Sequence, residues 1–80
     1  MSSAIDRLKA FHIARLQDKN PQVRIKSIEE LQLLEATDVI DTLEELFRSD
    51  PDTEVRKAAQ NAGRSLFLLK KKQEANGEEA

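Results

Sequence analysis

The chain has 80 residues, of which 39% are hydrophobic, 35% charged and only 4% aromatic, which is typical of one small soluble domain. Its net charge is −2, and with no cysteine and one histidine it cannot form a disulfide, a thiolate zinc site or a paired-histidine metal centre. No apolar run approaches the ~20 residues of a membrane span, and residues 1–4 lack a secretory signal, so we expect a cytoplasmic protein.

Helices are predicted throughout, because no stretch alternates apolar and polar residues as a half-buried strand does. The first helix is predicted over residues 4–17, where Ser3 and Asp6 have the spacing of a capping box. The second is predicted over residues 21–35, with Asn20 as its cap and a proline in its first turn.

The third and fourth helices follow two further breaks in the pattern. Thr37 or Asp38 is predicted to cap the third helix, which reaches about Arg48. The sequence Asp-Pro-Asp then interrupts the chain, and the fourth helix is predicted to begin near Thr53. It continues through the three lysines at 70–72, whose charge suits a helix C-terminus.

An internal repeat connects the two halves of the chain. Residues 18–24 and 50–56 each begin with Asp and end with Val-Arg, and the two segments are 32 residues apart. Each Val-Arg pair opens a helix that follows a short turn and another helix. A repeat of this length is typical of stacked helical hairpins.

This pattern, followed by small residues such as Ala58, Ala59 and Ala62, resembles the inner turn and second helix of a HEAT repeat. The resemblance covers nearly the whole chain, with one unit over about 4–36 and the next over about 37–70. It implies an all-α fold, an α-α superhelix fragment of two stacked helical hairpins with four helices.

These boundaries imply a two-unit domain over residues 1–72. Residues 73–80, which contain Asn-Gly and three glutamates, are expected to form a flexible acidic tail.

Arg24 and Arg56 occupy equivalent positions in the two units and could bind phosphate or carboxylate groups. The resemblance implies a structural role instead. Arginines at this position bond the acidic residue or the carbonyls of the adjacent turn, here Asp18 and Asp50, and tie one repeat to the next. We favour the structural interpretation.

Each helix carries an apolar or small-residue stripe that is predicted to form the core. The predicted core residues are Ile5, Leu8, Leu16, Val23, Ser27, Ile28, Leu31, Leu34, Val39, Ile40, Leu43, Leu46, Phe47, Val55, Ala58, Ala59, Ala62, Leu66 and Leu69.

Residues 66–69 are four consecutive apolar residues that sweep through about 300° of helix, so one packing face cannot hide them all. The stripe takes up Leu66 and Leu69 and leaves Phe67 and Leu68 outside it. We predict that a second chain covers these two side chains; the alternative is that the fourth helix folds back across the first. The predicted partner-binding residues are Phe67, Leu68, Arg64 and Lys71.

Two further features suggest chemistry but have simpler interpretations. His12 could act as a pH switch, yet a lone histidine on an apolar face is usually a packing residue. Asp38, Asp41 and Glu45 could bind a cation or act as an acid–base pair, but a charged surface stripe is the simpler interpretation. We therefore expect no metal and no cofactor.

Charge is segregated along the chain, with net charges of +2 over residues 1–20, −1 over 21–36, −6 over 37–54 and +3 over 55–80. Such a pattern can guide the docking of a partner or of a second copy. Solvated helix faces are the simpler interpretation, which we favour.

The favoured function is a non-enzymatic protein–protein interaction or scaffold module, because no phosphate loop, activated nucleophile or metal motif is present in the sequence. It would bind a protein of unknown identity or self-associate as a homodimer. One alternative is an accessory subunit or assembly factor of an enzyme or pigment–protein complex, which the resemblance implies. Another is nucleic-acid binding through the basic C-terminal helix, which the sequence pI of about 5.4 disfavours.

Overall fold

The protein is built from four α-helices in the computed structural model, which describes residues 3–79 and the side chains of residues 3–77. The elements are α1 (Ala4–Arg15), α2 (Pro21–Leu33), a short 3-10 turn (Thr37–Val39), α3 (Ile40–Ser49) and α4 (Thr53–Glu79). Two helical hairpins, α1–α2 and α3–α4, stack with α4 packed on both α2 and α3. The predicted all-α helical repeat fragment is confirmed.

The first two helices begin where the sequence predicts. Ser3 and Asp6 form a capping box, in which the Asp6 backbone N–H donates to the Ser3 hydroxyl at 3.0 Å. Asn20 accepts a hydrogen bond from the Gln22 N–H at 2.9 Å, with Pro21 in the first turn of α2. These caps satisfy N–H groups that have no partner within the helix.

Of the two later helices, α3 differs from the prediction in its cap, whereas α4 begins where the sequence predicts. Neither Thr37 nor Asp38 caps a helix through its side chain; the 3-10 turn that contains both leads directly into α3 at Val39. Helix α4 begins at Thr53, as predicted, and the side chain of Asp52 caps it by accepting the Val55 N–H at 3.0 Å.

The end of α2 uses a left-handed residue where glycine is usual. Glu35 has φ 55°, and the Ala36 N–H donates to the Leu31 carbonyl at 3.1 Å. This closure satisfies carbonyls at the end of the helix and turns the chain toward α3. The methyl group of Ala36, 0% exposed, then fills the core between the hairpins.

The core lies between the two hairpins and draws on all four helices, although α1 contributes only through Leu16, its C-cap. Its buried apolar residues are Leu16, Ile28, Leu31, Ala36, Val39, Leu43, Val55, Ala59, Ala62 and Leu66.

Three residues predicted to be core are instead exposed: Ile5 (53%), Leu8 (43%) and Phe47 (40%). Ile5 and Leu8 lie on α1, which packs mainly on α2, so no second layer covers them. Phe47 lies at an open groove lined by α3 and α4, where no described residue of the first hairpin covers it.

The C-terminal segment also differs from the expectation. Helix α4 continues to Glu79, so residues 73–79 are helical rather than an irregular tail. The side chains of residues 70–77 are exposed, and the helix there is stabilised by local interactions rather than by packing. The flexibility of this segment stays a prediction. Between residues 3 and 79 no helix combines the length and apolarity needed to cross a bilayer.

Leu31 and Leu33 provide a matched test of the core, because they lie two residues apart on α2 and are 0% and 76% exposed. We expect Leu31→Ala to lower the free energy of unfolding by about 2–5 kcal/mol, since it leaves a cavity between the hairpins. Leu33→Ala should change it by about 0.5 kcal/mol or less. Urea unfolding followed by circular dichroism measures both, and equal losses would contradict the assigned core.

The left-handed Glu35 generates a second stability prediction. Glu35→Gly should raise the free energy of unfolding by roughly 0.5–1 kcal/mol, because glycine adopts this conformation without a Cβ clash. The control is Gln32→Gly in the preceding turn, which should lower it by about 1 kcal/mol through lost helix propensity. If Glu35→Gly is as destabilising as Gln32→Gly, the helix does not end in the conformation described.

Candidate protein-interaction surface

An arginine–carboxylate bridge sets the position of one hairpin on the other. The guanidinium of Arg24 donates to both carboxylate oxygens of Asp50, from Nε at 2.9 Å and from Nη2 at 3.0 Å. Its Nη1 donates to the carbonyl oxygens of Asp18, at 2.7 Å, and Lys19, at 3.1 Å. The two side chains are only 11% and 4% exposed, so the bridge is a desolvated two-pronged contact between the turns of the two units.

The two turns have the same internal geometry. The Asp18 carboxylate accepts the Asn20 N–H at 2.9 Å, and the Asp50 carboxylate accepts the Asp52 N–H at 2.9 Å. Arg56 donates from Nη1 to the Asp50 carbonyl at 2.7 Å, as Arg24 does to the carbonyl of its own turn.

The two arginines nevertheless differ in reach. The second contact of Arg56 is with the Thr53 hydroxyl, at 3.2 Å, within its own turn. Of the two, therefore, only Arg24 connects one repeat to the next among the described residues.

An open groove runs between α3 and α4, and no described residue of the first hairpin lines it. It consists of two adjoining depressions that share Ile40, Glu44 and Phe67. Among the described residues, one is lined by α3 and α4 alone, and the other also includes the 3-10 turn. The walls of the groove include the half-exposed rings of Phe47 and Phe67, which are 40% and 48% exposed. Its floor contains two small residues, Ala59 and Gly63, which leave space between the rings. The groove is therefore an apolar depression open to solvent.

The predicted partner-binding residues separate into two groups. Phe67 and Arg64 line the groove, and the Lys71 ammonium lies 5.4 Å from the centre of the Phe67 ring, in cation–π range. Leu68 is 63% exposed but lies about 100° further round α4 and does not line the groove. The structure brings three of the four together, and their role in binding stays a prediction.

The apolar run at 66–69 divides as its angular positions predict. Leu66 is 1% exposed and Leu69 packs against the core, whereas Phe67 and Leu68 are exposed. The alternative prediction, in which α4 folds back across α1 to hide these side chains, is wrong. Helix α4 packs mainly on α3 and α2.

Opposite charges border the groove on its two sides. Asp38, Asp41 and Glu44 come from the 3-10 turn and α3, whereas Arg64 and Lys70 come from α4. Lys9 of α1 pairs with Asp38 at 3.3 Å, and Arg48 pairs with Glu44.

The side chains of Asp41, Arg64 and Lys70 make no ion pair or hydrogen bond within residues 3–77. The sequence shows that charge is segregated along the chain. It does not show that the acidic and basic residues face each other across one groove, because that depends on how α3 and α4 pack.

The exposed ion pairs on α2 and α3 shift two pKa values. The pKa of Arg48 is raised by hydrogen bonds to Glu45 and Glu44, and the pKa of Lys26 is raised mainly by its hydrogen bond to Glu30. Both groups stay charged at neutral pH, so these pairs are structural features of the surface.

The remaining candidates show no reactive arrangement. His12 is half-buried beside Phe11, with ring centres 5.1 Å apart, and its buried Nδ1 has no hydrogen-bond partner among the described residues. Glu45 pairs with Arg48 at 3.0 Å rather than with a shared ion site. In the described part of the chain, no group of three or more histidine or acidic side chains is placed to hold a metal.

Stacked hairpins joined by a buried bridge, with an open apolar face, define a helical-repeat protein of the kind that binds other macromolecules. A family model described as HEAT repeats matches residues 3–63, well over half of the chain. The chain belongs to the HEAT-repeat family. HEAT repeats generally mediate protein–protein interaction or scaffolding. No curated protein and no solved structure matches it.

The bridge between the repeats gives a prediction about stability. Arg24→Ala should lower the free energy of unfolding by about 3–5 kcal/mol, because it leaves the Asp50 carboxylate buried without its partner. Arg48→Ala is the control: it removes two exposed pairs and should cost far less, because solvent screens them. Chemical denaturation measures both, and equal losses would show that the bridge does not fix the stacking of the hairpins.

Proposed function

We propose that this chain is a non-enzymatic interaction module that binds a protein partner through the groove between α3 and α4. The observation that carries the proposal is the pair of half-exposed aromatic rings, Phe47 and Phe67, on either side of a floor of small residues. Aromatic side chains beside a depression are the usual anchors of protein interfaces.

The four predicted contact residues have distinct roles in this proposal. Phe67 is the central anchor, and Lys71 and Arg64 supply charge at the rim, where contacts affect association rate and specificity. Leu68 extends the apolar surface to the neighbouring side of α4. Together they allow a partner to contact both the groove and the exposed flank of the helix.

The non-enzymatic part of the proposal is supported by how the buried polar groups are used. The carboxylate of Asp50 is occupied by Arg24 and by the backbone of its own turn. The family is typically non-enzymatic. A scaffold role in the cytoplasm agrees with the cysteine-free, highly charged composition.

Nucleic-acid binding through α4 has less support than protein binding. Lys57 pairs with Glu54 and Lys71 with Glu74, and Arg56 is engaged in its own turn. The acidic edge of α3 also borders the groove and would repel phosphates. An accessory subunit or assembly factor would use the same groove for its client protein, so it is a special case of the proposal.

The proposal predicts that binding can be separated from folding. Phe67→Ser and Leu68→Glu should each greatly reduce capture of partner protein from native cell extract, because both remove exposed apolar contacts. Both should keep their helicity and lose about 1 kcal/mol of stability or less, since the replaced side chains are 48% and 63% exposed. Quantitative mass spectrometry of the captured protein measures binding, and circular dichroism measures folding.

The control for this experiment is Leu33→Glu, which changes an exposed leucine on α2, away from the groove. It should leave capture unchanged. If Phe67→Ser captures the same proteins as the wild type, the groove is not the binding surface. If Leu68→Glu unfolds the chain, Leu68 is not the exposed contact described.

A further inference from the structure

We propose that the groove between α3 and α4 binds a second copy of this chain, around a twofold axis that runs along the groove parallel to the two helices. This inference rests on the proposed function, because it names the occupant of the same surface. It is carried by the distribution of charge across the groove and by the difference between this face and the face that joins the two repeats.

The groove is electrostatically self-complementary. Its α3 side carries Asp41 and Glu44, and its α4 side carries Arg64 and Lys70. Of these, Asp41, Arg64 and Lys70 have no ionic partner within the described chain. A surface that is acidic on one side and basic on the other attracts a copy of itself that is turned around.

A twofold axis along the groove produces that arrangement. Such an axis exchanges the left and right sides of the groove but preserves height along the helices, so α3 of one copy lies over α4 of the other. Asp41 and Lys70 line the same end of the groove. The axis therefore places Asp41 of each copy opposite Lys70 of the other, and the contact occurs twice in the dimer.

The apolar residues fit the same operation. Phe47 lines the same depression as Ala59 and Gly63, whereas Asp41 and Lys70 line the adjoining one. The twofold axis carries Phe47 of the second copy across to the α4 side, above these two small residues. Phe67 is carried to the α3 side, near Ile40, so each ring meets an apolar position of the other copy.

The groove differs from the face that stacks one repeat on the next. On α2, the residues that face the second hairpin include Ile28 and Leu31, which are 1% and 0% exposed. Their equivalents 32 residues later are Gln60 and Gly63. A further hairpin stacked in series would lack the apolar contacts that Ile28 and Leu31 provide, whereas the twofold arrangement relies on Phe47 and Phe67 instead.

The test uses two charge reversals that are harmful alone and complementary together. In the proposed dimer, Asp41→Lys places a lysine opposite Lys70 of the other copy, and Lys70→Glu places a glutamate opposite Asp41 of the other copy. Each variant alone should dimerise at least about tenfold more weakly than the wild type, because like charges then face each other twice. An equal mixture of the two should form a heterodimer close to wild-type strength, since both contacts are again between opposite charges.

Sedimentation equilibrium measures the dimerisation constants, and native mass spectrometry identifies the heterodimer by its mass. Glu29→Lys is the matched control, because it makes the same change of charge on an exposed position of α2 outside the groove. It should dimerise as the wild type does. High salt should weaken the wild-type dimer, because the paired charges lie at the exposed edges of the groove.

A wild-type chain that stays monomeric would overturn this inference, and so would a mixture that does not recover the heterodimer. The fate of the proposed function is separate. If the chain is monomeric but still captures another protein, and Phe67→Ser abolishes that capture, the proposed function stands and the occupant of the groove is a different protein. If the chain neither dimerises nor captures another protein, both the proposed function and the proposed dimer are wrong.

Discussion

A pair of packed helices has two broad faces, and the first hairpin can cover only one face of α3–α4. Three core residues of these two helices, Leu43, Val55 and Ala62, are almost completely buried. The uncovered face contains the α3–α4 groove, where the rings of Phe47 and Phe67 are half-exposed. The proposed binding function depends on that uncovered face, because apolar surface remains there for another molecule to bury.

The orientation of the uncovered face is fixed by the Arg24–Asp50 bridge. The bridge joins the turn of the first hairpin to the turn of the second, and both partners are nearly excluded from water. A fork of two parallel hydrogen bonds constrains direction as well as distance. Because the apolar core alone is non-directional, we infer that this contact selects one stacking angle and therefore one exposed groove.

Local signals in the sequence predicted the beginnings of α1 and α2, because Ser3, Asp6 and Asn20 act on backbone groups only two or three residues away. The α4 stripe was also predictable, since helical periodicity determines which residues share a face. The same periodicity cannot determine which face is covered. Ile5 and Phe47 belong to regular apolar patterns, yet no neighbouring element packs over them.

Other features depended on residues that are distant in the sequence or on unusual local choices. The end of α2 lacks the glycine that normally indicates a left-handed residue, so Glu35 gave no signal. The burial of Asp50 depends on an arginine 26 residues earlier. The acidic and basic segments were evident from composition, but only the tertiary structure places Asp41 and Lys70 on one groove.

The claim that the α3–α4 groove is the binding face is tested most directly by NMR. The chemical shift of each backbone amide is compared between the free protein and the protein bound to its partner or to a second copy. Such a measurement locates the binding face whichever protein occupies it. We expect the largest chemical-shift changes along the α3–α4 groove, at Ile40, Phe47, Gly63 and Phe67. Changes confined to α1, or to the groove between α2 and α4, would contradict it.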